Sequence, residues 1–269
     1  MNLLAIFAHP DDEVFSCGGS LARYAAEGHN VYLICATRGE EGEIIHPEID
    51  AAKYPKGAPR GQLRTIELET TCKALGIKAP IFLDHDDSGF PIEVGLNNPK
   101  AFMNQDIFKV EKQLLAHIKV IKPEVMITFD PHGMYGHIDH ITIHRAAIAA
   151  FWSAGGVMQP APKRLFYPAR TIQQVEAMKA SSRSTTLDNL EPSIYGVSED
   201  SLAATIAISD YAAQKREGII AHRSQFGPLE NIERMTKGRN SMFEQEAFML
   251  GGLRGSFPAG ILNDLFAGL

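Results

Sequence analysis

Leu3 to Ala8 is an unbroken apolar run that stops at His9-Pro10 and gives way to Asp11-Asp12-Glu13. A run this short, bounded by a proline and charges, reads as a buried strand leading into a loop. Ser20 to Glu27 follows, with Leu21, Tyr24 and Ala25 at helical spacing and Gly28 as a stop. Val31 to Ala36 is a second apolar run. Strand, loop, helix and strand in this order, so close together, predict a parallel βαβ unit with a right-handed crossover.

The pattern repeats down the chain. Thr37 to Gly61, with Glu40, Glu41 and Glu43, reads as a long loop or lid. Leu63 to Leu75 has helical periodicity and Gly76 behind it. Ile81 to Leu83 is a short strand, and 88–104 reads as loop. Ile107 to Ile121 carries one apolar stripe of Val110, Leu114, Ile118 and Ile121. Val125 to Phe129 is another buried strand, Pro131 to Gly136 a loop, and Ile138 to Trp152 a helix. Beyond Gly155 the signal weakens. Arg164 to Tyr167 and Ala203 to Ile208 read as strands and Tyr211 to Ala221 as a helix. Ser241 to Leu250 fits either, and 251–269 resists assignment. The expected fold class is α/β: a Rossmann-like, mostly parallel sheet flanked by helices. It forms a single domain over 1–269, with a core over about 1–155 and a C-terminal elaboration over about 156–269.

Composition narrows the function classes. A formal charge of -6 argues against a nonspecific nucleic-acid binder. No apolar run is long enough for a membrane span, and the N-terminus lacks the basic region of a signal peptide. Three cysteines are too few for a disulfide framework, so a reducing, cytoplasmic location is expected. The chain gives no decision on whether it forms a homo-oligomer.

In open parallel sheets, ligands bind beyond the carboxyl ends of the strands. Three predicted strands end there in polar residues, at His9, Asp84 and Asp130. The first cluster is His9, Asp11, Asp12 and Glu13. The second is His137, Asp139, His140 and His144, preceded by His132 and Tyr135. His140 and His144 share the four-residue spacing of zinc-peptidase helices, but residue 141 is isoleucine, so the glutamate of that mechanism is missing. His9, Asp12 and His140 make a better set: two imidazoles and a carboxylate with an open fourth position, a catalytic zinc shell for one Zn²⁺ per chain. Fe²⁺, Co²⁺ or Mn²⁺ would suit the same donors. Asp11 is left free beside it as a general base. A nucleotide-binding Rossmann protein is the competing reading, but acidic side chains after the first strand would repel a pyrophosphate. A non-catalytic binding protein would have no need of the additional carboxylate and histidine.

AHPDDE (8–13) with GHIDH (136–140) resembles the LmbE-like, or PIG-L, family of zinc-dependent de-N-acetylases. The likeness is nearest to the branch of mycothiol- and bacillithiol-pathway deacetylases and the mycothiol conjugate amidase. TRGEEGE (37–43), Arg64 to Leu68, DSGF (87–90), DPHGMYGH (130–137) and HRSQ (222–225) support it. The resemblance implies zinc on His9, Asp12 and His140, and Asp11 as general base. It implies His137 as oxyanion stabiliser or acid, Asp139 as the group orienting a histidine, Tyr135 near the amide carbonyl, and Arg64 against substrate. Asp87, Ser88 and His222 are further candidates on the substrate side. Ile138 stands where many members have proline. The activity implied is removal of an N-acetyl or related N-acyl group from an amino sugar or its conjugate. Amidase cleavage of a glucosaminyl-type thiol conjugate is the alternative.

Overall fold

The computed structural model describes residues 1–181, 191–236 and 241–269. Its frame is β1 (Asn2–Phe7), α1 (Asp12–Ala26), β2 (Asn30–Thr37), α2 (Ala58–Ala74), β3 (Ile81–His85), α3 (Ile107–Ile121), β4 (Val125–Thr128) and α4 (Ile138–Val157). The second part adds β5 (Arg164–Ala169), β6 (Ala204–Ala207), α5 (Ala212–Ala221) and β7 (Gln245–Leu253), with further helices at Ile172–Ser181 and Leu229–Thr236 and shorter helical turns between them.

The strands form one sheet in the order β3-β2-β1-β4-β5-β7-β6. Strands β1 to β5 run parallel; β7 pairs antiparallel with both β5 and β6. This is the mostly parallel α/β sheet expected, with the C-terminal elaboration added at one edge. A parallel strand covered by helices on both faces must be apolar throughout. Accordingly Leu3, Leu4, Ala5, Ile6 and Phe7 are all fully buried. The α3 stripe points inward as its spacing requires, with Val110, Leu114 and Ile118 fully buried.

Several boundaries differ from the sequence reading. The first helix begins at Asp12, not Ser20, so the acidic segment is its first turn rather than loop. Carboxylates there lie favourably against the helix dipole. Helix α1 is kinked at Cys17 (φ -158°, ψ 26°), and only its second half has clean periodicity. Helix α2 begins at Ala58, with Pro59 in its first turn, and so shortens the acidic loop. The ambiguous segment near 241–250 becomes β7, preceded by one helical turn. Residues after β7 carry no named element, yet Leu265 and Phe266 are buried. The buried Arg164 guanidinium donates to Leu265 O (2.9 Å) and Ala267 O (2.7 Å). Among the described residues no helix is long and apolar enough to cross a membrane.

Candidate metal centre

Strand β1 has β2 on one side and β4 on the other, so the chain leaves it in opposite directions. That switch point opens a crevice at the carboxyl ends of β1 and β4. His9 lies just past β1 and is followed by the first turn of α1. The His9 amide donates to Asp12 Oδ2 at 2.7 Å, which folds the carboxylate back over the strand end. Across the crevice, His137 precedes α4, and its Nδ1 accepts the Asp139 amide at 3.2 Å as a helix cap. His140 is fully buried in the next positions. Its ring stacks on Phe129 at 4.0 Å, nearly parallel, and its Nδ1–H donates to Gly133 O at 3.1 Å. Gly133 has φ 61°, and a Cβ there would lie 2.8 Å from that of His140, so only glycine suits the position.

The two histidines present lone pairs to one point. His9 Nε2 faces Asp139 Oδ2 at 3.2 Å and Asp87 Oδ1 at 3.4 Å, so that nitrogen carries the proton. His9 Nδ1 is then the nitrogen open to a cation, as is His140 Nε2 opposite Gly133. These two nitrogens stand 3.2 Å apart. Asp12 completes the triangle, its Oδ2 3.5 Å from His9 Nδ1 and its Oδ1 3.2 Å from His140 Nε2. Donors about 2.0–2.2 Å from a tetrahedral ion lie roughly 3.3–3.5 Å from one another. The two nitrogens therefore have the spacing of ligands on one divalent cation, and Asp12 offers one oxygen to each of them. His9, His137 and His140 also offer nitrogens within 4.8 Å of one another, as do the ligand atoms of His9, Asp87 and Asp139. Hydrogen bonding of His9 Nε2–H to the carboxylates accounts for that last grouping without an ion.

The flanking groups are distinctively tuned. Asp11 is 19% exposed on its side chain and has φ 109°, a left-handed conformation that costs a non-glycine residue energy. Burial pushes its carboxyl up to about 6 against the pull of Arg64, and Asp12 adds to the rise. Burial brings the His137 imidazole down to about 3, with His9 and His140 adding to the fall. It is a neutral ring with Nδ1 accepting, so its proton sits on Nε2. For His9, burial works downward, but Asp87, Asp12 and Asp139 together hold it well above its ordinary value. Burial raises the Tyr135 hydroxyl, so it stays protonated; its ring lies edge-on to His140 at 5.1 Å.

The expected substrate-side residues are distributed unevenly. Arg64 is 3% exposed and turns inward, donating to Asp11 Oδ2 (2.9 Å), Gly39 O (2.9 Å) and Pro10 O. Asp87 accepts the Gly89 and Glu41 amides, and Ser88 holds Asp139 through both its amide (2.9 Å) and its hydroxyl. His222 is fully buried and bonds Glu13 and Thr71 instead of facing solvent. His144 donates to Phe129 O below the site. Glu13, given no role in the sequence reading, is buried and bonds the Asp11 amide; its place beside Asp11 and Asp12 was the only signal for it. Phe90 is exposed and stacks near His137 at 5.9 Å. A cavity of about 360 Å³ lies against the first turns of α1, lined by Phe15, Ser16, Arg170, Gln174, Lys215 and Glu246 among others.

Residues 4–151 match the PIG-L family model, described as GlcNAc-PI de-N-acetylase. A 1D-myo-inositol 2-acetamido-2-deoxy-alpha-D-glucopyranoside deacetylase of Thermobifida fusca is 33% identical over 239 residues, covering 83% of this chain and 82% of that protein. Among solved structures, a conserved protein of Thermus thermophilus superposes with a TM-score of 0.60 at 24% identity, over 96% of this chain and 98% of the other. A 4-carboxy-2-hydroxymuconate hydratase of Pseudomonas putida superposes with a TM-score of 0.62 at 18% identity, over 96% and 99%. The same frame thus carries a hydratase, so the chemistry must be read from the site and not from the fold.

Proposed function

Because this chain belongs to the PIG-L family, we propose that it is a metal-dependent hydrolase that removes an N-acetyl or related N-acyl group from an amino sugar or its conjugate. The observation that carries the proposal is the meeting of His9 Nδ1 and His140 Nε2, 3.2 Å apart, with one Asp12 oxygen 3.5 Å from the first and the other 3.2 Å from the second. Each ring is fixed by a bond from its other nitrogen. These three residues would hold one ion, with Zn²⁺ the preferred metal. The ion would supply Lewis-acid polarisation of the acyl carbonyl and a lowered pKa for water in the site.

The chain's own residues divide the remaining work. Asp11, with a carboxyl near 6, is placed to take a proton from the attacking water at neutral pH. His137 Nε2–H and the Tyr135 hydroxyl are the neutral donors beside the cluster, suited to the negative charge that develops on the carbonyl oxygen. As the C–N bond breaks, the amine needs a proton. Neutral His137 is a poor source, which favours Asp11 returning the one it took. Products are a carboxylate and a free amine. Asp139 and Ser88 keep His9 in its working tautomer. Arg64 acts through Asp11, whose carboxylate it holds at 2.9 Å.

The similarity to a glucopyranosyl-inositol deacetylase supports an N-acetylglucosaminyl-inositol as the first substrate to try. A thiol-conjugate amidase is the second reading within the same chemistry. Three buried, unpaired cysteines are consistent with a cytoplasmic site of action. The test measures zinc per chain and acetate release from N-acetylglucosaminyl-inositol together. One zinc per chain is expected, and chelation should abolish release. Asp11→Asn should keep the zinc and lose about 10²- to 10⁴-fold in kcat. Acetate release by metal-free protein, or wild-type turnover in Asp11→Asn, would overturn the proposal.

A further inference from the structure

Asp11 is held at both ends. Arg64 grips its carboxylate, and its peptide N–H donates to Glu13 Oε2 at 3.0 Å. The other oxygen of Glu13 meets His222 Nε2 at 2.8 Å. The same His222 nitrogen lies 3.0 Å from Thr71 Oγ1, whose hydroxyl donates to Gly218 O at 3.1 Å. Glu13, His222 and Thr71 are each 1% exposed or less. None of them can meet a substrate directly. They form a chain from the end of α5, across α2, to the one residue of the acidic segment with a left-handed backbone.

That conformation needs support. A non-glycine residue at φ 109° is strained and persists only where its surroundings over-determine it. The Asp11 amide falls outside the helix ladder of α1, so its partner must come from a side chain, and Glu13 is that partner. Glu13 would in turn be a buried carboxylate with little reason to stay put without His222. The approach of α5 allows this contact. A Cβ on Gly218 would lie 2.9 Å from Val14 and 3.2 Å from Thr71, so a larger residue would push α5 and His222 away from α1.

The geometry points to Glu13 and His222 as a positioning pair that sets the backbone of Asp11, so that the C-terminal part of the chain tunes the general base without touching substrate. This rests on the role proposed for Asp11. The expected consequence is a loss in turnover with binding preserved, because the misplaced group acts on the reaction and not on the affinity of metal or sugar.

The test compares His222→Leu, His222→Gln, Glu13→Ala and a control, Ser224→Ala, in zinc-loaded protein. Ser224 is equally buried and donates to Glu67, outside this chain of contacts. His222→Leu and Glu13→Ala should lower kcat at least tenfold, with KM within twofold and one zinc per chain. His222→Gln keeps a donor towards Glu13 and should recover most of the loss. Hydrogen exchange at the Asp11 amide should quicken in His222→Leu and stay slow in Ser224→Ala; this is read without turnover. Wild-type kcat in His222→Leu, an equal kcat loss in Ser224→Ala, or a loss that follows zinc content would overturn the pair's role. If Asp11→Asn itself retains full turnover, the reading of Asp11 fails first. Unchanged Asp11 amide exchange in His222→Leu then overturns the positioning on its own.

Discussion

His9 has both ring nitrogens committed, and they are committed to different things. Nε2–H is taken by Asp139 and Asp87, which leaves Nδ1 for a cation. That division can be tested from either side of the ring. Asp139→Ala should leave His9, Asp12 and His140 in place but free the His9 ring to turn. Zinc affinity should fall about 10- to 100-fold, as for other groups that orient metal-bound histidines, and competition with a chromophoric chelator reads it. An unchanged affinity would mean that Asp87 and packing suffice to fix the ring without Asp139. The other side concerns protons. Burial opposes the charge on His9, but the carboxylates raise its pKa well above the ordinary value, so in the metal-free protein a proton competes with the cation for Nδ1. Metal binding must expel that proton, and affinity should therefore fall as pH falls through the raised pKa. Calorimetry in buffers of different ionisation enthalpy should find close to one proton released per zinc near pH 7. A release of zero would show that His9 Nδ1 carries no proton before the metal binds. At this scale HPDDE and HIDH stand out in the sequence, the first just past a strand and the second at a helix start. Partnership does not. The motif implies that Asp139 orients a histidine, and only the packed structure makes that histidine His9 instead of His137 or His140, because the choice depends on where two distant segments meet.

Helix α1 illustrates what the sequence could and could not convey about an element. Its second half, from Ser20, has the apolar spacing and the glycine stop that mark a helix. Its first half does not, because Cys17 breaks the backbone and Gly18-Gly19 interrupt the periodicity. The structure mends the break from outside. Glu246, on β7, accepts the amides of Gly19 (3.0 Å) and Ser20 (2.7 Å), so a carboxylate from the far end of the chain caps the restarted helix. Lys215 on α5 neutralises that carboxylate at 2.7 Å and also donates to Met242 O. Neither residue carries a sequence signal for this, since nothing local requires it. Both are nearly inaccessible, Lys215 at 1% and Glu246 at 6%. Removing one member of such a pair strands the other. Lys215→Met should cost about 3–5 kcal/mol in urea unfolding. Adding Glu246→Gln should return part of it, because the amide oxygen still accepts from α1 while the stranded charge is gone. A cost below about 1 kcal/mol for Lys215→Met would show that the helix amides alone satisfy Glu246.

At the scale of the whole molecule, the sequence divides more sharply near residue 155 than the structure does. Periodicity is strong before that point because parallel strands and their crossover helices carry regular apolar patterns. It weakens after it because β7 and β6 are antiparallel additions, and the tail is held by bonds from Arg164 to backbone carbonyls instead of by an element of its own. The packing does not respect this boundary. Strand β4 is interior, paired with β1 through Leu3↔Val125 to Ile6↔Thr128 and with β5 through Val125↔Arg164 to Ile127↔Phe166. Ending the chain at 155 would open that edge. It would also remove α5, whose Gly218 backbone lies against Val14, Thr71 and Leu75, and with it His222 and the Glu246 cap. A fragment of residues 1–155 should therefore lack a cooperative urea transition and near-ultraviolet circular dichroism, and should bind zinc weakly. The full chain should unfold in one transition with coincident probes. A compact, cooperatively unfolding 1–155 fragment with full zinc affinity would show that the Rossmann-like half is an independent domain and that the C-terminal half only decorates it.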